Sequence, residues 1–166
     1  MNHRLLALVV AVAVGVGCVR VSTHTEGAWT KEVVDALQDG RCEDADRHLV
    51  QVPSAERLEG WFILQASAAV ECALKNPENG PSLLAGAKAS LLVGRTVAPD
   101  SAGLVIWQGY VATETGDREA ATTYFAEARE LAHRVLRESE DQWAIATAKE
   151  ALAELESSTS GQPPIQ

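Results

Sequence analysis

Aromatic residues are scarce in this chain: four Trp, two Tyr and two Phe, or 5% of 166 residues. Nowhere do Val, Ile and Thr alternate over a run long enough for a sheet. Cysteine is limited to Cys18, Cys42 and Cys72. That excludes a disulfide-dense scaffold, and two or three cysteines with no histidine at ligand spacing make a poor zinc site. Histidine is limited to His3, His24, His48 and His133. The first two fall in the N-terminal segment, and the others sit among polar residues, where a solvated or packed ring is the ordinary role. There is no Gly-x-Ser-x-Gly, His-Glu-x-x-His, Gly-x-Gly-x-x-Gly or phosphate-cradling glycine loop. The acidic groups Glu43, Asp44, Asp46 and Glu138, Glu140, Asp141 fall where helices are expected to begin, and there they complement free amides. They lack the glycine and spacing of a calcium loop. The chain therefore reads as non-enzymatic, with no cofactor and no metal. No carboxylate is expected to be partly buried in a cleft with a raised pKa, as a catalytic acid would be.

Positive charge is also in deficit, with 14 basic against 23 acidic residues and a net charge of −9. Such a surface repels nucleic-acid phosphates and anionic lipid head groups, so nucleic acid is excluded as a partner. What is plentiful is apolar: hydrophobic residues make up 46% and charged ones 22%. That balance belongs to one globular domain rich in Ala and Leu, which favours close-packed helices.

The N-terminus carries an address. Met1-Asn2-His3-Arg4 is a short positive segment, and Leu5 to Gly17 is an uncharged apolar run. Thirteen helical residues reach only about 20 Å, too short for a ~30 Å hydrocarbon core. The segment fits a signal peptide over residues 1–17. Small residues at Gly15 and Gly17 before Cys18 resemble the lipobox of bacterial lipoproteins, although Gly15 stands where a branched aliphatic residue is usual. The resemblance implies an acylated Cys18 as the mature N-terminus and a membrane contact through that lipid. Val19 follows in place of the Asp that often marks inner-membrane retention, which points to the outer membrane facing the periplasm. Without residues 1–17, the chain has 13 basic and 23 acidic residues, a net −10. Once Cys18 is acylated, Cys42 and Cys72 remain as an even pair in an oxidising compartment, where a disulfide is expected.

Residues 18–27 read as a polar tether. Apolar positions at helical spacing then mark seven helices: from Trp29 to Gly40, about 42–52, 54–75, 82–96, 101–115, 118–137 and 139–156. Gly40, Pro53, the NPENGP turn at 76–81, Pro99-Asp100 and Gly116-Asp117 separate them. Ser54 reads as the cap of the third helix. Ser139 with Gln142 reads as the capping box of the last. Residues 157–166 read as a disordered tail.

Within this all-α pattern one stretch is distinctive. Gly116-Asp117 is followed by Ala121, Phe125 and Ala128, and Gly109 lies seven residues before Gly116. These residues resemble a tetratricopeptide repeat, in which a small residue, an aromatic and a second small residue let two helices pack closely. Val105, Gln108 and Ala112 stand where Trp, Leu and Tyr are usual. A second copy is carried by Trp29, Gly40, Ala45 and Leu49, with Val33 replacing the close-contact Gly; the middle, residues 55–98, keeps Trp61, Leu64 and Ala68.

The resemblance implies a solenoid of about three stacked antiparallel helix pairs over residues 28–156. The last helix caps it through Ala144, Ala148, Ala151, Leu152 and Leu155. In such a stack the second helix of one pair runs antiparallel to the first helix of the next. Cys42, near the start of one, and Cys72, near the end of the other, then fall together. The resemblance also implies a concave groove lined by Thr30, Val34 and Leu37, by Phe62 and Ala66, and by Ile106, Tyr110, Thr113 and Glu114. The expected function is a lipid-anchored scaffold or assembly factor that binds another envelope protein or peptide in this groove. The alternatives are a secretion or pilus accessory lipoprotein, an enzyme acting on envelope polymers, and a small-molecule-binding lipoprotein.

Overall fold

A computed structural model describes residues 28–160, which are all-helical, with no strand among them. The signal peptide 1–17, Cys18 and the tether to residue 27 lie outside the described residues. The helices are α1 Ala28–Gln38, α2 Cys42–Gln51, α3 Glu59–Lys75, α4 Gly80–Val97, α5 Ala102–Glu114, α6 Arg118–Glu138 and α7 Gln142–Ser160. None of them is long and apolar enough to cross a membrane. They fall into two compact units that divide after Pro99.

In the first unit, α1 packs on α2, α2 on α3, and α3 on α4. Gly40 ends α1 with φ +74°. Its amide bonds to Leu37 O at 3.0 Å, and the Arg41 amide bonds to Ala36 O at 2.7 Å. This is the Schellman closure that satisfies the last carbonyls of a helix and needs a left-handed residue. The second unit repeats it. Gly116 has φ +78°, its amide bonds to Thr113 O at 3.0 Å, and Asp117 N bonds to Ala112 O at 2.9 Å. Both glycines therefore hold a backbone conformation that a Cβ disfavours. Gly40→Ala and Gly116→Ala should each lower stability by about 1–2 kcal/mol, read as a lower urea midpoint with an unchanged slope.

The antiparallel setting of α2 and α3 is fastened at both ends. At one end Cys42 and Cys72 form a disulfide with Cα atoms 5.8 Å apart. Beside it Lys75 Nζ donates to Leu37 O at 3.1 Å and pairs with the buried Glu71 at 2.6 Å. At the other end Trp61 Nε1 donates to Leu49 O at 3.1 Å. Arg57 lies 4.5 Å over the Trp61 ring and donates to Val52 O and Val50 O at 3.0 and 3.3 Å. The loose carbonyls ending α2 thus find donors on the chain that enters α3.

This arrangement corrects the expectation that Ser54 starts the third helix. Ser54–Glu56 is a separate 3₁₀ turn, no side chain caps it, and α3 begins at Glu59. The intervening residues are drawn aside to place Arg57 over Trp61.

In the second unit α5 packs on α6 and α7, and α6 packs on α7. Ser101 Oγ accepts from Leu104 N at 3.0 Å and Asp117 Oδ1 accepts from Ala120 N at 3.1 Å, so α5 and α6 each begin with a side-chain cap. The core joins Val105 and Ile106 of α5, Ala128, Leu131 and Ala132 of α6, and Ala148, Ala151 and Leu155 of α7; Leu152 packs beside them. The apolar face expected on the last helix is therefore buried, with Ala144 at its margin.

Three boundary details differ from expectation. Ser139 Oγ accepts from Asp141 N at 3.1 Å, a local turn that replaces the capping box. Glu138 ends α6 and does not open a helix. Helix α7 continues to Ser160, so residues 157–160 are helical, while 161–166 lie outside the described residues.

Candidate functional site

The nine groove residues separate by depth. Leu37, Phe62, Ala66 and Ile106 are buried core residues. Thr30 and Val34 of the first unit are partly buried, as are Tyr110 and Glu114 of the second; Thr113 is exposed. A residue at the centre of a packed face is covered by the neighbouring helix, and Leu37, Phe62, Ala66 and Ile106 are not open to a ligand. The accessible groups that can meet a ligand therefore concentrate on α5, at Tyr110, Thr113 and Glu114.

That part of α5 is held rigidly. Gly109 lies directly beneath the Phe125 ring of α6; a Cβ on it would come within 2.5 Å of Phe125 Cε1. Tyr110 meets Phe125 and Trp107 edge-on, each with ring centroids 5.4 Å apart. Its hydroxyl donates to Glu154 Oε1 of α7 at 2.8 Å. Thr113 Oγ1 donates to Gly109 O at 2.9 Å, which leaves its methyl and oxygen on the surface one turn above. Three helices thus fix one tyrosine, and Glu114 stands one turn beyond it on the same face of α5.

Two carboxylates here are partly buried with raised pKa values. Burial pushes Glu114 up. Burial also pushes Glu154 up, against the opposing effect of the Tyr110 hydrogen bond. Sequence spacing had no means of finding Glu154, because its partner lies 44 residues away. Glu114 is the last residue of α5, where the carbonyl end of the helix adds further repulsion.

A folded-state pKa above the unfolded one means the native chain binds more protons between those two values, so stability rises as pH falls through that window. Glu114→Gln should therefore raise the melting temperature at neutral pH, and the advantage should shrink to nothing once the pH falls well below the ordinary glutamate value of 4.5. Thermal melts of both proteins from pH 7 to about pH 3 check this.

Two of the remaining residues noted in the sequence, His48 and Asp44, have structural partners. His48 Nδ1 lies 3.1 Å from Glu32 Oε2, joining α2 to α1. Asp44, in the first turn of α2, accepts from Arg41 and Arg47 at 2.7 and 2.8 Å, and the Arg41 guanidinium beside it holds its carboxyl below the usual range. His133 is exposed on α6. An open depression of about 600 Å³ lies along α6, lined by Glu119, Thr122, Thr123, Ala126, Glu127 and Glu130. It faces away from the expected groove helix, and its lining is three acids, two threonines and an alanine.

The described residues are all-α, in two compact units. No protein family, curated protein or solved structure matches the chain.

Proposed function

We propose that this chain is an exported, lipid-anchored scaffold or assembly factor that holds another envelope protein. Its anchor is Cys18, on the periplasmic side of the outer membrane. Its binding face is that of α5 at Tyr110, Thr113 and Glu114, within a short tetratricopeptide-like array of about three repeats. The observation that carries the reading is the Cys42–Cys72 disulfide. It belongs to an oxidising compartment, and it leaves Cys18 as the chain's one cysteine free for lipid. The paired turn glycines Gly40 and Gly116 and the close contact of Gly109 with Phe125 support the repeat reading. A rigid aromatic ringed by adaptable polar groups is the usual anchor of a protein interface.

The partly buried Glu114 and Glu154 favour a second reading, a site for a small molecule or an envelope polymer. The exposed Thr113 beside Glu114 weighs toward a protein partner.

A photo-crosslinker at position 113 of the full chain, expressed in its own cells, tests the choice. The scaffold reading expects one envelope protein joined at that position, and its loss when Glu114→Arg is added. Absence of any joined protein, or crosslinking indifferent to Glu114→Arg, overturns it.

A further inference from the structure

We infer that the outer face of α4 rests on the bilayer surface to which the chain is anchored. The inference rests on the lipid-anchor reading of Cys18 and adds to it a second membrane contact. Helix α4 shows two apolar faces. Gly80, Leu84, Ala87, Leu91 and Gly94 are buried, spaced as one stripe toward α3. On the opposite side Ala85, Ala89, Leu92 and Val93 form a second stripe at helical spacing, with Val97 at its edge. Here Leu92, Val93 and Val97 are 53%, 54% and 49% exposed, three of the six large hydrophobic residues left open to solvent among the described residues. The seven others that face outward with them, Pro81, Ser82, Ala85, Gly86, Lys88, Ala89 and Thr96, are small or polar, and Gly86 has open space around it.

Charge says what can cover this face. Every other described helix carries at least one acidic residue; α4 carries none, and its charged residues are Lys88 and Arg95. The nearest acids in sequence, Glu78 and Asp100, fall outside its two ends. On a chain of net charge −9 this is the face that anionic head groups repel least. Lys88 sits beside Leu92 on the wheel, where its stem can lie along apolar surface while the ammonium reaches a phosphate.

Area says which occupant fits. Eighteen helical residues give a strip about 27 Å long and 10 Å wide, so two copies meeting on it would bury on the order of 600 Å², half of the ~1,200 Å² that begins the range for stable dimers. A contact that small is weak between free molecules. It suffices for a surface already tethered, since a short linker gives an effective concentration of order millimolar. Residues 18–27 span at most about 35 Å when extended, enough slack for the unit to turn α4 toward the lipid. Leu92, Val93 and Val97 would then enter the boundary between head groups and acyl chains, about 5–10 Å deep.

The test is lipid quenching. Val93→Trp in the full chain adds one indole at an exposed position. The protein, extracted from its own membranes, is reconstituted into phosphatidylcholine–phosphatidylglycerol vesicles with or without bromine on the acyl chains. The expected result is loss of the added indole's emission in brominated vesicles. That loss should weaken with Lys88→Glu and vanish with Leu92→Glu, which is exposed and leaves the core intact. An indole equally bright in both vesicles overturns the inference. So does an unquenched indole accompanied by dimers in native mass spectrometry, which would assign the face to a second copy. The intact mass of the same preparation reports the acyl chains separately. If they are absent the anchor reading fails by itself, and quenching on added vesicles still decides the role of α4.

Discussion

Cys42→Ala/Cys72→Ala is expected to remove about 3.5 kcal/mol of stability, because the bond closes a loop of 30 residues. The link joins the start of α2 to the end of α3, so it fixes the relation of two helix pairs within the first unit. The loss should concentrate there. Hydrogen exchange at neutral pH should show amides of α1 to α4 losing protection, while the core of α5, α6 and α7, which has its own apolar cluster, keeps most of it. Lys75 also depends on the link, since its bond to Leu37 O lies beside the disulfide. Reduction of the wild-type protein should reproduce the pattern of the double variant. Equal loss in both units would mean that the disulfide acts on the chain as a whole and that the units do not unfold separately.

Gly109→Ala should be strongly destabilising. The added Cβ would stand 2.5 Å from Phe125 Cε1, and a ring held edge-on by Tyr110 has little freedom to retreat. Overpacking of this kind costs typically 1–3 kcal/mol. The same change at Gly86, in open space on the outer face of α4, should stabilise by about 0.5–1 kcal/mol, since it removes a glycine from a helix interior. Urea titrations of the two variants should move in opposite directions. Combining Gly109→Ala with Phe125→Leu should recover part of the loss, because the shorter side chain leaves room for the methyl. If Gly109→Ala were silent, the close approach of α5 and α6 would not be the constraint described, and the repeat reading would lose its best support.

How much of this was legible follows from the kind of signal each feature leaves. Gly40 and Gly116 were legible as helix ends because a left-handed residue at a helix end is nearly always glycine. Gly109 and Phe125 were legible through the resemblance to a tetratricopeptide repeat, which puts a small residue and an aromatic where two helices approach closely. The disulfide was legible from two routes, parity in the oxidising compartment that the lipobox resemblance implies and the antiparallel order of neighbouring helices that the repeat resemblance implies. Arg57 over Trp61 left no such mark. Its purpose, to supply donors to the end of α2, exists only once α2 and α3 are side by side. Ser139 matched a capping box by spacing, yet its hydroxyl took the nearer Asp141 amide, a competition that sequence spacing does not weigh. The expected groove was read from the repeat resemblance. Register placed nine residues on it, but Leu37, Phe62, Ala66 and Ile106 are buried, because depth depends on the neighbouring helix. Glu154 was invisible, since only the folding of α7 beside α5 brings it to Tyr110.

The anchor is the claim on which the proposed function and the placement of α4 both lean, and one measurement addresses it directly. Protein extracted from its own membranes and weighed intact should have the mass of residues 18–166 plus acyl chains, and Cys18→Ala should abolish that species. An unmodified chain, or one that begins at any residue other than Cys18, would contradict the account.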